Sequence, residues 1–273
     1  MWQFLEYGFF VQALVAVALL SVCSAVIGTY IISRRMVAIS GGITHACFGG
    51  LGLGYYLGIS PVLMAAVFAI GSSLGVDALS SRLRLREDSA IAVVWALGMA
   101  LGVLFVFMTP GYVPELNAFL FGNILTVSTP DLWAFGAYAL VLASFFAWKR
   151  RTIVAVAFDR DFAAVSGLPV KMVSLVMTVL VALCIVLTIR LVGIMLLMSM
   201  MSLPMITAEV WCRRFVPVAV VSALISLAAS VTGLFISAAV DVPCSAVIVL
   251  LLAAAFVVAK IVQSLKKSVY LHN

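Results

Sequence analysis

Charge is scarce in this sequence. Only 10% of its 273 residues are Asp, Glu, Lys or Arg, where a soluble domain carries about 25%. A water-facing surface cannot be assembled from so little, which excludes an ordinary soluble globular protein. Histidine is rarer still, with two copies. The five cysteines (Cys23, Cys47, Cys184, Cys212 and Cys244) show no CxxC spacing and lie in or beside apolar segments, so they are expected as buried thiols. There is no GxxxxGK[ST] loop, which excludes ATP binding by that route, and neither HExxH nor GxSxG occurs, so no enzyme is indicated. No apolar segment carries the several ionisable groups of a proton relay. No Lys or Arg precedes the first apolar run, whereas Arg34 and Arg35 follow it. A signal peptide needs its positive charge in front, so this run is expected as a retained first span, although Leu20 to Cys23 resembles a lipoprotein cleavage box. Linkers and low-complexity tracts are missing too, and residues 1–273 are expected to form a single transmembrane domain.

What is present is apolar. Hydrophobic residues make up 66% of the chain and its mean hydropathy is +1.29. At about 20 residues per span, continuous apolar runs predict an all-α, polytopic transmembrane helical bundle with about eight or nine spans. The basic residues fall into clusters at Arg34-Arg35, Arg82/Arg84/Arg86, Lys149-Arg150-Arg151, Arg160/Lys171, Arg213-Arg214 and Lys260/Lys266/Lys267, with Arg190 alone outside them. The positive-inside rule makes those clusters cytoplasmic, and they flank spans, so no nucleic-acid partner is expected. Nine spans then fit, at roughly 8–33, 36–58, 61–80, 90–109, 131–147, 172–190, 192–211, 215–237 and 244–264. The N-terminus falls outside and the C-terminus inside. Glu6, Glu115, Asp131 and Asp241 are left for an outer face without Lys or Arg. Residues 116–125 follow Pro110 and Pro114 and are too short to cross, which predicts a re-entrant or interfacial helix. The longest cytoplasmic connection contains Phe158 to Gly167, a short amphipathic helix stopped by Gly167 with Pro169 beyond it.

Few residues can carry chemistry. His272 sits in a polar tail. His45 lies inside the second span, where an ionisable group is costly and a candidate for function. Gly41, Gly42 and Gly49 share its helix face, which leaves two readings open: a close-packing seam around a bonded histidine, or a neutral imidazole lining a cation path. Asp241, before Val242-Pro243, is either a turn former or a carboxylate at the outer mouth of such a path. Asp77 is expected to pair with a neighbouring arginine, and Arg190 to snorkel outward or pair with an outer acid. Met195, Met198, Met200, Met201 and Met205 do not share one face and are expected as adaptable packing. Pro204 should kink the seventh span, with Ser199, Ser202 and Thr207 satisfying freed carbonyls.

Six segments, in order along the chain, resemble the permease subunits of bacterial zinc, manganese and iron ABC importers, the ABC-3 metal permeases. They are Arg34-Arg35-Met36 with Ile39 through His45; Glu87 to Ile91; Leu120 to Leu125; Ala157-Phe158-Asp159 with Ala163 and Gly167; Leu191-Val192-Gly193 with Pro204; and Asp241-Val242-Pro243. The resemblance implies a permease of the bacterial inner membrane that works as a homodimer with an ATP-binding subunit and an extracytoplasmic metal-binding protein. No cofactor would be bound by this chain itself. ATP would act through the partner ATPase, and a divalent metal ion would be the cargo. Phe158, Asp159, Ala163 and Gly167 would belong to the element that docks on the ATPase, and His45 to the metal path. Where the family commonly has Asp four residues before the histidine, this chain has Gly41; loss of that oxygen ligand argues against manganese and leaves zinc or iron. Two alternatives remain: a gradient-driven carrier or channel, and an ABC permease for a metal chelate.

Overall fold

The computed structural model describes residues 8–83, 85–111, 122 and 124–271, with the side chains of residues 82 and 267–271 outside that description. Ten α-helices and one short 3-10 turn make up the described residues: α1 (Gly8–Ser33), α2 (Ala38–Leu57), α3 (Pro61–Leu83), α4 (Glu87–Met108), the turn Ile124–Thr126, α5 (Thr129–Phe158), α6 (Arg160–Val165), α7 (Val170–Met200), α8 (Leu203–Glu209), α9 (Phe215–Val240) and α10 (Cys244–Leu271). The protein is the expected all-α membrane bundle. The re-entrant helix predicted over 116–125 falls mostly outside the described residues, as do Glu6, Glu115 and His272.

Seven stretches are long and apolar enough to span a membrane, two fewer than the sequence predicts, and each difference has a physical source. The first is α2, whose 20 residues include six glycines and a histidine and so lack the hydropathy of a simple span. Most of its surface is not offered to lipid: 14 of the 20 residues are buried, packed against α3, α4 and α7. The second is Val170–Glu209, a run of 40 residues. Straight, it would measure about 60 Å, twice the roughly 30 Å hydrocarbon core. It is not straight, because Gly193 sits at φ 76°, ψ 174°, a region that only glycine occupies without strain.

The ends of that run show the chain going out and coming back. Arg190 forms an ion pair with Asp131 at the start of α5. Beyond Gly193, Val210 accepts a hydrogen bond from the Gln263 side chain at 3.2 Å, and the Lys266 ammonium lies 5.0 Å from the Trp211 ring centroid. Both partners belong to the basic end of α10. The two arms of α7, with α8 completing the second, therefore run from the basic end to the Asp131 end and back, as two of the eight or nine expected spans would. The expected Pro204 kink is the break between α7 and α8, where Ser199, Ser202 and Thr207 hydroxyls donate to the carbonyls of Met195, Met198 and Leu203.

The core is built on α1 and α7, with α5, α9 and α10 around them. Some hydroxyls inside it bond across helices: Tyr138 donates to the Leu180 carbonyl at 2.9 Å, and Ser226 donates to the Met200 sulfur at 3.2 Å. Met201 and Met205 pack on Gly28. Three of the five methionines thus fill the core, as adaptable packing predicts. Cys23, Cys47, Cys184 and Cys244 are buried free thiols, and Cys212 is half-buried.

Candidate functional site

His45 is half-buried on α2, and its ring stacks on that of Trp95 from α4, with centroids 4.5 Å apart and planes 9° from parallel. Among the described residues neither ring nitrogen has a hydrogen-bond partner. One face of the imidazole is covered by Trp95; a close-packed histidine and a metal-path histidine both remain readings of this position.

The glycines around it divide by role. Gly42 and Gly49 serve close packing, because a Cβ on Gly42 would meet Ile91 at 2.5 Å and one on Gly49 the Gly98 carbonyl oxygen at 2.8 Å. Gly52 approaches the Gly102 carbonyl in the same way, at 2.7 Å. This backbone-to-backbone fit of α2 on α4 is what small residues provide in a membrane, and it fixes Trp95 over His45. Gly41 faces a different environment. A Cβ there would meet the Met198 methyl at 3.0 Å, its sulfur at 3.4 Å and the Trp95 ring at 3.7 Å. Met198 comes from the returning arm of α7, so the reversal at Gly193 is what brings a thioether beside the position where the family pattern has a carboxylate.

Asp241 is exposed at the other end of the molecule. It caps α9 in the left-handed conformation (φ 57°) while Ser237 donates to the Val242 carbonyl at 2.6 Å. It borders a cavity of about 450 Å3 together with Leu125, Val192 and Pro243. Gly122 (φ 58°) packs so closely on the backbone of Val192 and Gly193 that no side chain fits. Three segments far apart in sequence, around residues 122–125, 191–193 and 241–243, therefore meet at one mouth. His45 does not line this cavity, so the two proposed path residues occupy separate stations. Asp131, another predicted outer acid, is neutralised by Arg190. Among the described residues no three His, Cys, Asp or Glu side chains cluster to hold a metal ion.

At the basic end, α6 is a single short helix. The Asp159 carboxylate accepts the Phe162 N–H at 2.8 Å and so caps it. Gly167 (φ 73°) ends it, and the Leu168 N–H donates to the Ala163 carbonyl at 3.1 Å. Ala163 turns inward onto Val156 and Val170. Phe158, Phe162 and Val165 point the other way and are 59%, 67% and 90% exposed. Phe162 and Val165 are absent from the residues expected from sequence for docking. The signal was present as the two apolar residues Phe162 and Val165 at i and i+3 after the Asp159 cap. Asp77, expected to pair with an arginine, accepts from the Thr178 hydroxyl at 3.3 Å and shares a small cavity with Arg34; the side chains of its sequence neighbours Arg82 and Arg84 lie outside the described residues.

Residues 6–263 match the ABC 3 transport family. The chain is 31% identical to the manganese transport system membrane protein MntC of Halalkalibacterium halodurans over 260 residues, 94% of this chain and 88% of that protein. It is 32% identical over 256 residues to a probable iron transport system membrane protein of Haemophilus influenzae, 93% of this chain and 94% of that one. Among solved structures, a chain of PsaBC from Streptococcus pneumoniae in complex with Fab superposes with a TM-score of 0.82 at 25% identity, covering 94% of each chain.

Proposed function

Because this chain belongs to the ABC 3 transport family, we propose that it is the membrane permease of an ATP-driven importer of divalent metal ions (zinc, manganese or iron), its residues 1–273 acting as one permease domain in the bacterial cytoplasmic membrane. It is a transport subunit and not an enzyme; ATP is bound and hydrolysed by a separate subunit. A second copy of the chain and an extracytoplasmic metal-binding protein complete the assembly. Relatives named for manganese and iron transport support a metal cargo.

The ion enters past Asp241 and meets His45 deeper in the membrane, where a neutral imidazole replaces part of its hydration shell. With one imidazole and no carboxylate within a helical turn, one chain offers too few ligands to trap the ion, and a second copy facing it would double the set. Weak coordination favours passage over storage. ATP-dependent rocking of packed helices then exposes the site to one side at a time.

The observation that carries the ATP-driven reading over a gradient-driven carrier is α6. Phe162 and Val165 stand exposed on α6, and Phe158 stands exposed beside them at the end of α5. Such a face needs a protein partner, and a carrier has none to offer. The test is uptake of zinc, manganese and ferrous iron into proteoliposomes holding this chain, its ATPase and its binding protein. Uptake that requires internal ATP is expected. Equal uptake without ATP would make the chain a carrier.

A further inference from the structure

The basic end also holds a cavity of about 700 Å3, set between the cytoplasmic ends of α1, α5 and α9 and beside the start of α4. Five arginines border it and no lysine does, although the chain places lysines at 149, 171, 260, 266 and 267. Arg34 is already engaged: it pairs with Glu87 at 3.2 Å and lies 5.9 Å from the Tyr30 ring centroid. Arg35, Arg160, Arg213 and Arg214 form no ion pair among the described residues. Asp161 and Glu209 also border the cavity, which leaves a surplus of two positive charges around it.

The lining is mixed. Ile32, Val156, Phe215 and Val218, each within about one turn of a helix end, line the cavity together with the five arginines. An occupant must therefore present concentrated negative charge and tolerate apolar neighbours at the helix ends. An acidic peptide meets the first condition, but its backbone amides would lie unpaired against the apolar side chains. A phospholipid meets both. Guanidinium forks match phosphate oxygens in pairs, which an ammonium does not, and basic pockets between helix ends on the cytoplasmic side suit anionic headgroups.

We infer that this cavity is a binding site for a phosphate-bearing anion, the headgroup of an anionic phospholipid of the inner leaflet. Bound there, the lipid ties α1 and α9 to the α5–α6 corner, next to the apolar face of α6.

The test uses the full chain, delipidated in detergent and examined by native mass spectrometry. Phosphatidylglycerol, phosphatidylcholine or inorganic phosphate is added in turn. Expected is retention of one phosphatidylglycerol per chain, severalfold above phosphatidylcholine. Retention should be lost in the Arg213→Gln/Arg214→Gln variant and kept in Arg150→Gln/Arg151→Gln, whose positions lie outside the cavity. Should the first variant not fold, Arg213→Lys/Arg214→Lys keeps the charge and is expected to weaken retention severalfold by removing the forks. Equal retention of both lipids, or undiminished retention in the cavity variants, would overturn the inference. Binding of inorganic phosphate without phosphatidylglycerol would reject the lipid and assign the guanidiniums to a soluble anion. Displacement of bound phosphatidylglycerol by the ATP-binding subunit would make the cavity a protein-docking surface instead.

Discussion

At the scale of single residues, the α2 glycines separate packing from chemistry. Gly49 meets a backbone carbonyl that cannot step aside, so Gly49→Ala is expected to destabilise the α2–α4 pair by about 1–3 kcal/mol, read as a lowered midpoint of thermal unfolding in detergent. Gly41 meets the mobile end of Met198. Gly41→Asp is therefore expected to fold with little loss, the methyl moving aside, and to place a carboxylate one turn from His45. Transport assays should then show preference shifting toward manganese, the harder ion; an unchanged preference would separate Gly41 from the path. His45→Ala is expected to bring metal uptake to background while the assembled complex and its basal ATPase activity persist. Uptake equal to the parent's would remove His45 from the path and leave its stack with Trp95 as packing alone.

At the scale of elements, local signals were legible and pairings were not. The short helix at 158–167 could be read from its Asp159 cap, its Gly167 stop and its apolar spacing, because each acts within one or two turns. Its direction could not: Ala163 faces in and Phe162 faces out only because Val156 and Val170, on the flanking helices, claim the alanine side. Phe162→Ser is accordingly expected to leave the fold intact and abolish co-purification of the ATPase, whereas Ala163→Glu, which buries a charge, should unfold the corner itself. Recovery of the ATPase in normal yield with Phe162→Ser would reject α6 as the docking element. The glycine-rich face of α2 was visible in the sequence, but not which glycine met a backbone and which a side chain, since that depends on α4 and on the returning arm of α7. Nor could Trp95 be recognised as the cover of His45, fifty residues away and one aromatic among many on helices that face lipid.

For the molecule as a whole, sidedness depends on the reversal at Gly193. Were Val170–Glu209 a single pass, Arg213 and Arg214 would emerge on the outer face, against the positive-inside rule, and every later segment would change sides. With the reversal, both arginines share an end with Arg34, Arg35 and Arg160, as the shared cavity requires. The native cysteines report on this without engineering. Cys212 is half-buried at that end, and the other four thiols are buried, so a membrane-impermeant maleimide should modify Cys212 first. Labelling is expected in inside-out vesicles and not in intact spheroplasts, and it should disappear in Cys212→Ser. Labelling from outside would mean that the chain crosses once between Val170 and Glu209, which would remove the basis for placing Met198 beside Gly41. The reversal also has a stability signature: Gly193→Ala forces a side chain into a glycine-only conformation and should cost about 1–3 kcal/mol. Because the two arms carry the most buried surface of the bundle, that cost should appear as a lowered unfolding midpoint for the entire chain and not as local fraying.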